Sequence, residues 1–83
     1  MATTTRNETI YENWEPKNFS LLSNVSQVTF EYWPAQTPPT ANDTGHPLIP
    51  GAGLNYSVFE DDTVIVYFRS RNMNAVATIT EHL

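Results

Sequence analysis

The half of the chain that decides its fold is residues 44–81, which read TGHPLIPGAGLNYSVFEDDTVIVYFRSRNMNAVATITE. Three short segments rich in residues that favour strands are separated here by turn residues, and no helical period interrupts them. Residues 63–69 (TVIVYFR) form the clearest strand, with apolar side chains on both of its faces. Such a pattern is typical of a central strand that is covered on both sides. The sequence therefore predicts an all-β protein.

Further strands and turns flank this segment. Residues 54–59 and 75–80 read as strands, with an Asn-rich turn at residues 71–74 before the second. Upstream, residues 19–22 and 27–33 read as strands joined by a turn at Ser23 and Asn24. In the later of these two, Phe30 and Tyr32 point one way while Trp33 points the other. Several short strands about ten residues apart predict a small antiparallel β-sandwich or a partly open barrel.

A Pro-rich loop, residues 34–53, contains five of the six prolines and all three glycines. Proline cannot donate to a strand ladder, and Pro38-Pro39 does not fit a central strand. We expect residues 35–45 to form a long loop, residues 46–49 to be briefly extended, and Pro50-Gly51 to form a turn. Loops this long in compact domains are usually functional, or disordered when nothing anchors them.

The first 18 residues are polar and rich in threonine. We expect residues 1–18 to form an extended N-terminal arm and residues 19–83 to form the β-sandwich domain. Tyr11 and Trp14 would dock this arm on a partner. A disordered terminus is the alternative reading.

Composition narrows the classes of function. The chain has 83 residues, a net charge of −5, four basic residues and no cysteine. So few cations argue against a partner that is a nucleic acid or an anionic membrane, and the lack of cysteine excludes thiolate catalysis and Cys-ligated zinc. The N-terminus shows no apolar centre of a signal peptide, so we expect a soluble protein made in a cytoplasm.

No residue pattern selects an active site or a metal site. Glu60, Asp61 and Asp62 form the densest cluster of carboxylates, and a solvated turn explains them better than a Ca²⁺ site does. Glycoside hydrolysis needs two carboxyl groups at a defined separation, and nothing in the spacing selects such a pair. We therefore predict a protein that is not an enzyme, with no catalytic residue, no metal and no cofactor.

Exposed aromatic side chains, prolines and arginines outside the core pattern are the candidates for a partner interface. Arg69 and Arg71 share the strand face of Tyr67, where solvated charges are expected and an interfacial ion pair is the alternative. Trp33 and Tyr32 could instead close one end of the core, or form a platform for a sugar ring. The candidate interface residues are Tyr11, Trp14, Trp33, Pro38, Pro39, Arg69 and Arg71.

The order of turns and strands in residues 19–81 resembles a set of small β-sandwich proteins found among the structural proteins of tailed bacteriophages. In that set an early strand and a loop of small residues precede a turn like Gly-x-Pro-Leu-x-Pro-Gly. This sequence has TGHPLIPG at residues 44–51. A strand at residues 54–58, an aromatic-rich strand from Asp62 to Tyr67 and a closing strand that ends at Glu81 follow in the same order.

This resemblance implies a non-enzymatic component of a virion, such as a head decoration, neck or tail accessory protein made in the host cytoplasm. Its partners would be major capsid or neck and tail subunits, together with copies of itself. The alternatives are a carbohydrate- or receptor-binding module and a small phage-encoded inhibitor of a host protein.

Overall fold

A computed structural model of the chain describes residues 3–59 and 63–82. The described part is built from strands and one short 3-10 helix, Tyr56–Phe59. The strands are β1 (Thr3–Ile10), β2 (Glu15–Lys17), β3 (Leu21–Asn24), β4 (Phe30–Ala35), β5 (His46–Leu48), β6 (Gly53–Asn55), β7 (Ile65–Arg69) and β8 (Ala75–His82).

These strands form two antiparallel sheets of four strands each. The first sheet has the order β1-β8-β3-β6 and the second has the order β2-β7-β4-β5. They pack as a sandwich, and the described strands do not close into a barrel. The all-β prediction and the sandwich are confirmed.

The core lies between the sheets and consists of the inward side chains of alternate residues. Leu22 and Ile79 from the first sheet and Phe30 from the second are each 0% exposed, and Phe68 is 1% exposed. The ring of Phe68 meets that of Phe30 edge to face, with 6.1 Å between the centroids. Burying a side chain of this size contributes about 1.5–3 kcal/mol. The alternation predicted along β4 is confirmed, because Phe30 lies in the core and Tyr32 packs against it, whereas Trp33 lies on the other face, against Trp14.

The N-terminal segment differs from the predicted arm. Residues 3–17 contribute a strand to each sheet instead: β1 pairs with β8 along its whole length, β2 pairs with β7, and Ile10 is fully buried in the core. Charge hid this strand in the sequence. Arg6 and Glu8 occupy inward positions, where they form ion pairs with Glu81 and Lys17 instead of apolar contacts. Residues 1 and 2 lie outside the described part.

Two further predictions are corrected. The strand predicted for residues 54–59 ends at Asn55, because the Asn55 Oδ1 accepts the backbone N–H of Ser57 at 3.0 Å and the chain turns into the 3-10 helix. The turn predicted at Ser23 and Asn24 lies later, since both residues belong to β3.

Other boundaries agree with the sequence more closely. The extended segment predicted at residues 46–49 is β5, and residues 36–45 contain no strand or helix. The acidic cluster of Glu60, Asp61 and Asp62 lies outside the described residues.

Candidate functional site

The outer face of the second sheet carries most of the candidate interface residues. Strands β4 and β7 are neighbours there, which places Glu31 opposite Arg69 and Trp33 opposite Tyr67. Trp14 immediately precedes β2, the strand on the other side of β7. Residues 36–45 of the Pro-rich loop leave β4 and are held against this face, so we call them the anchored loop.

Arg69 is the central anchor of this loop. Its side chain is nearly buried, and its Nη1 donates to the backbone oxygen of Ala41 at 2.9 Å. Its Nη2 donates to the backbone oxygen of Asp43, and its Cζ lies 4.5 Å from the centroid of the Trp14 ring. Arg69 therefore binds the loop from the outer face of the second sheet. This corrects the expectation that its guanidinium group is a solvated charge. Its partners are backbone carbonyls, which residue types do not reveal.

Glu31 joins the two arginines to the end of the loop. Its carboxylate accepts a hydrogen bond from the Nε of Arg71, and its Oε1 lies 3.7 Å from the Nε of Arg69. The same Oε1 accepts the backbone N–H of Gly45 at 2.9 Å. Burial acts to raise the pKa of Glu31, but the hydrogen bonds from Arg71 and Gly45 outweigh it and hold that pKa below its usual value. Glu31 is therefore ionised at neutral pH, and it connects the two arginines to the backbone of Gly45.

Trp14 fixes the middle of the loop. Its Nε1 donates to the backbone oxygen of Thr40 at 3.0 Å. Its ring meets that of Trp33 at 62°, with 6.3 Å between the centroids. Within the loop, the Oδ2 of Asp43 accepts the backbone N–H of Thr40 at 2.7 Å, which closes a local turn. The loop is thus held through backbone groups of Thr40, Ala41, Asp43 and Gly45.

The structure brings four of the seven candidates together: Trp14, Trp33, Arg69 and Arg71. Pro38, on the anchored loop, is exposed and Pro39 is half-buried. Tyr11 is 49% exposed beyond the end of β1, where its backbone oxygen accepts the N–H of Ser70 at 2.7 Å.

Sequence reasoning missed Glu31 and Gly45. The one signal for Glu31 was its position, as an acidic residue between two inward aromatic residues of β4. For Gly45 there was no signal, because its role depends on how closely the loop approaches the sheet.

An open depression of about 340 Å³ lies beside the anchored loop. Arg69, Arg71, Asn13 and Asn72 contribute to its lining, with Glu12 at the same site. Both guanidinium groups already bond to other groups of the chain, so the remaining polar side chains of the lining are the carboxylate of Glu12 and the amides of Asn13 and Asn72. Among residues 3–59 and 63–82, no group of three or more His, Asp or Glu is placed to hold a metal ion.

Comparison with protein-family models, with curated proteins and with solved structures gives no match for this chain. The fold and the site define it as a small two-sheet β-sandwich with an anchored loop on one outer face. No helix in the described part is long and apolar enough to cross a membrane.

Proposed function

We propose that this chain is a non-enzymatic structural protein of a tailed-phage particle, which binds capsid or neck and tail subunits through its anchored loop. The observation that carries the proposal is the set of bonds that fixes residues 40–45 to the second sheet. The choice of a tailed-phage particle rests on the order of turns and strands, which resembles that of phage virion proteins.

A loop fixed in this way suits a binding surface. Ordering a free residue costs about 1–2 kcal/mol of backbone entropy, and a flexible loop meets that cost when it binds. Here the hydrogen bonds from Trp14, Arg69 and Arg71 order the loop as the chain folds. The prolines restrict its backbone further. The loop can therefore contact a partner with little additional loss of entropy.

Apolar side chains beside the loop add contact area. Pro38 is exposed on the loop itself. Ile65 is 43% exposed and lies opposite Ala35, where the loop begins. Each contact is small, but a symmetric particle repeats it many times, so weak contacts gain avidity.

The ion pairs favour a protein partner over a nucleic acid. The chain has four basic residues. All of them, Arg6, Lys17, Arg69 and Arg71, are paired with carboxylates of the chain itself. Phosphate binding depends on cations that are free to replace counterions, and these side chains already have partners.

The test is quantitative mass spectrometry of virus particles purified from the source of the chain. We expect a fixed copy number per particle: several hundred copies for a decoration protein, or on the order of a dozen for a ring of the neck or tail. Absence of the chain from purified particles would refute the proposal.

A pair of variants tests the role of the loop. Pro38→Asp places a charge on the anchored loop and should lower the amount of protein bound to particles. Val25→Asp places the same charge on a residue that is 55% exposed at the end of β3 in the first sheet, and should bind as the wild type does. Equal binding of both variants would show that the loop is not the contact.

A further inference from the structure

The longest free edge of the sandwich is β1. Within residues 3–59 and 63–82, each sheet has two edge strands, and three of these four, β2, β5 and β6, have three residues each. By contrast, β1 has eight residues and pairs with β8 on one side only. Natural proteins usually keep edge strands short, because a long one offers a template for another strand.

The direction of the backbone groups on β1 follows from the pairing of β3 with β8. Val25 N–H donates to the oxygen of Val76 at 3.2 Å, so the polar backbone groups of Val76 face β3. In an antiparallel ladder these groups alternate in direction from one residue to the next. Those of Ala77 therefore face β1, where Ala77 is paired with Glu8.

On β1, Arg6 and Glu8 consequently direct their backbone groups to β8, whereas Thr5, Asn7 and Thr9 direct theirs to the open edge. Among the described residues, no backbone hydrogen bond from outside the sheets reaches these three. Their N–H and C=O groups are available to another strand.

We propose that two copies of this chain pair through antiparallel β1 strands around a two-fold axis at Asn7, which joins their first sheets into one continuous sheet. This self-association does not depend on the proposed virion role, and it can be measured with the isolated chain.

Charge favours this register over those centred on the two neighbouring residues. Residues that lie opposite each other in an antiparallel strand pair have their side chains on the same face of the sheet. A two-fold axis normal to the sheet therefore passes between two copies of one residue, not between two successive residues. An axis at Arg6 or at Glu8 would place that charge against its own copy. An axis at Asn7 places Arg6 of each copy opposite Glu8 of the other, and Thr5 opposite Thr9. Opposite charges across a strand pair stabilise it and like charges destabilise it.

The hydrogen bonds agree with this register. The facing pairs Asn7–Asn7, Thr5–Thr9 and Thr9–Thr5 each exchange two backbone hydrogen bonds, which gives about six between the copies. The ladder ends before Tyr11, whose oxygen already accepts the N–H of Ser70.

The side chains can accept the added pairing. Arg6 is 39% exposed and Glu8 is 26% exposed, and each already has a partner within its own chain. Because a carboxylate has about four acceptor positions and a guanidinium has five donors, both can bind a second partner.

The first test is the mass of the chain as a function of concentration, measured by sedimentation equilibrium. We expect a reversible dimer. Arg6→Glu and Glu8→Arg should each weaken self-association at least tenfold, because either change places like charges opposite one another. An equimolar mixture of the two variants should recover dimers. One variant then carries an acid at both positions and the other a base at both, so opposite charges face each other at each contact.

A second test removes one donor without adding charge. Asn7→Pro deletes the N–H at the axis and leaves the ladder to β8 intact, so it should weaken self-association. Asn7→Ala keeps that N–H and should dimerise as the wild type does. Far-UV circular dichroism establishes that each variant is folded. Amide exchange of the wild-type chain gives a measurement without any variant: Thr5, Asn7 and Thr9 should exchange more slowly as concentration rises.

Three results of the association measurements would overturn the proposal. The wild-type chain could stay monomeric at millimolar concentration. The mixture of charge variants could stay monomeric while the wild type dimerises. Folded Asn7→Pro could dimerise as tightly as Asn7→Ala. Exchange at these three amides that does not depend on concentration would also contradict it.

Discussion

The guanidinium of Arg69 lies over the ring of Trp14, with 4.5 Å between Cζ and the ring centroid. Trp14 precedes β2, Arg69 ends β7, and both donate hydrogen bonds to backbone oxygens of the anchored loop. This contact between a cation and an aromatic ring therefore holds together two neighbouring strands of the second sheet and the loop that covers them.

Arg69→Met should lower the free energy of unfolding by about 2–4 kcal/mol. Methionine fills part of the space, but it leaves the oxygen of Ala41 without its donor, leaves that of Asp43 with Arg71 alone, and removes one cation from Glu31. Urea unfolding at neutral pH measures this difference. Amide exchange should show faster opening of the loop.

Arg71→Met is the matched control. Its side chain is 46% exposed, so water screens its pairing with Glu31 and replaces its hydrogen bonds. We expect a loss of about 1 kcal/mol or less. Equal losses for the two variants would show that Arg69 does not anchor the loop.

The fold was predictable where one side of a strand is apolar. In β4 the alternation of side chains identifies both the strand and its inward face, because Phe30 belongs to the core. In β7 both faces are apolar, which identifies a central strand but not its inward face; Phe68 belongs to the core, and Tyr67 on the opposite face is also buried. In β1 the same alternation was hidden, since the inward side chains of Arg6 and Glu8 are charged and are satisfied by ion pairs. An ion pair between distant residues cannot be read from either segment alone.

The candidate site was predictable only in part. Trp14, Trp33, Arg69 and Arg71 could be selected by residue type, because large aromatic side chains and arginines are common in interfaces. Their arrangement depends on the register of β4 with β7 and on backbone oxygens of the loop. Neither can be inferred from residue types. The sequence therefore predicted a long loop but not the contacts that anchor it to the sheet.

Gly45→Ala should destabilise the chain by about 1–3 kcal/mol. A Cβ atom at this position would lie 2.6 Å from the backbone oxygen of Tyr32 and 2.8 Å from the Cη2 of Trp14. Neither a strand carbonyl nor a packed indole ring can move away easily, so the loop must lift from the sheet. Thermal unfolding measures the loss, and near-ultraviolet circular dichroism reports the environment of the tryptophan rings.

Gly53→Ala provides the comparison. A Cβ atom there would meet its nearest neighbours, the Leu22 oxygen and the Ser23 Oγ, at 3.6 Å, which is ordinary contact. We expect a change within about 0.5 kcal/mol of zero, or a small gain from reduced entropy of the unfolded chain. A loss of stability for Gly53→Ala as large as that for Gly45→Ala would contradict the close approach of the loop to the sheet at Gly45.

Glu31→Gln should change how stability depends on acid. The pKa of Glu31 in the folded chain lies below its ordinary value of 4.5. Its contribution is therefore fully present above pH 4.5 and is lost as the pH falls through the lowered pKa. Unfolding free energies measured from about pH 7 to about pH 2 should show the wild type losing its advantage over Glu31→Gln below pH 4.5. A difference between the two proteins that stays constant across this range would contradict the lowered pKa.

Asn24→Asp should lower the free energy of unfolding by about 2–4 kcal/mol at neutral pH. Asn24 is 1% exposed, and its Nδ2 donates to the oxygens of Val28 and Leu48, each at 2.8 Å. An ionised aspartate cannot donate to these oxygens, and it would place a buried negative charge against them. The variant should therefore separate β5 from the turn that follows β3, which chemical denaturation and amide exchange can measure.

The same substitution at Asn55 tests whether hydrogen-bond donation by the buried Asn24 side chain explains the loss of stability. Asn55 is exposed, and its side chain acts as an acceptor, since its Oδ1 receives the N–H of Ser57 at 3.0 Å. Aspartate accepts equally well in such a turn, so Asn55→Asp should change stability by no more than about 0.5 kcal/mol. If both substitutions cost the same, burial and donation at Asn24 would not explain its effect. If only Asn24→Asp is costly, a buried amide rather than a surface turn joins the two sheets at this end of the sandwich.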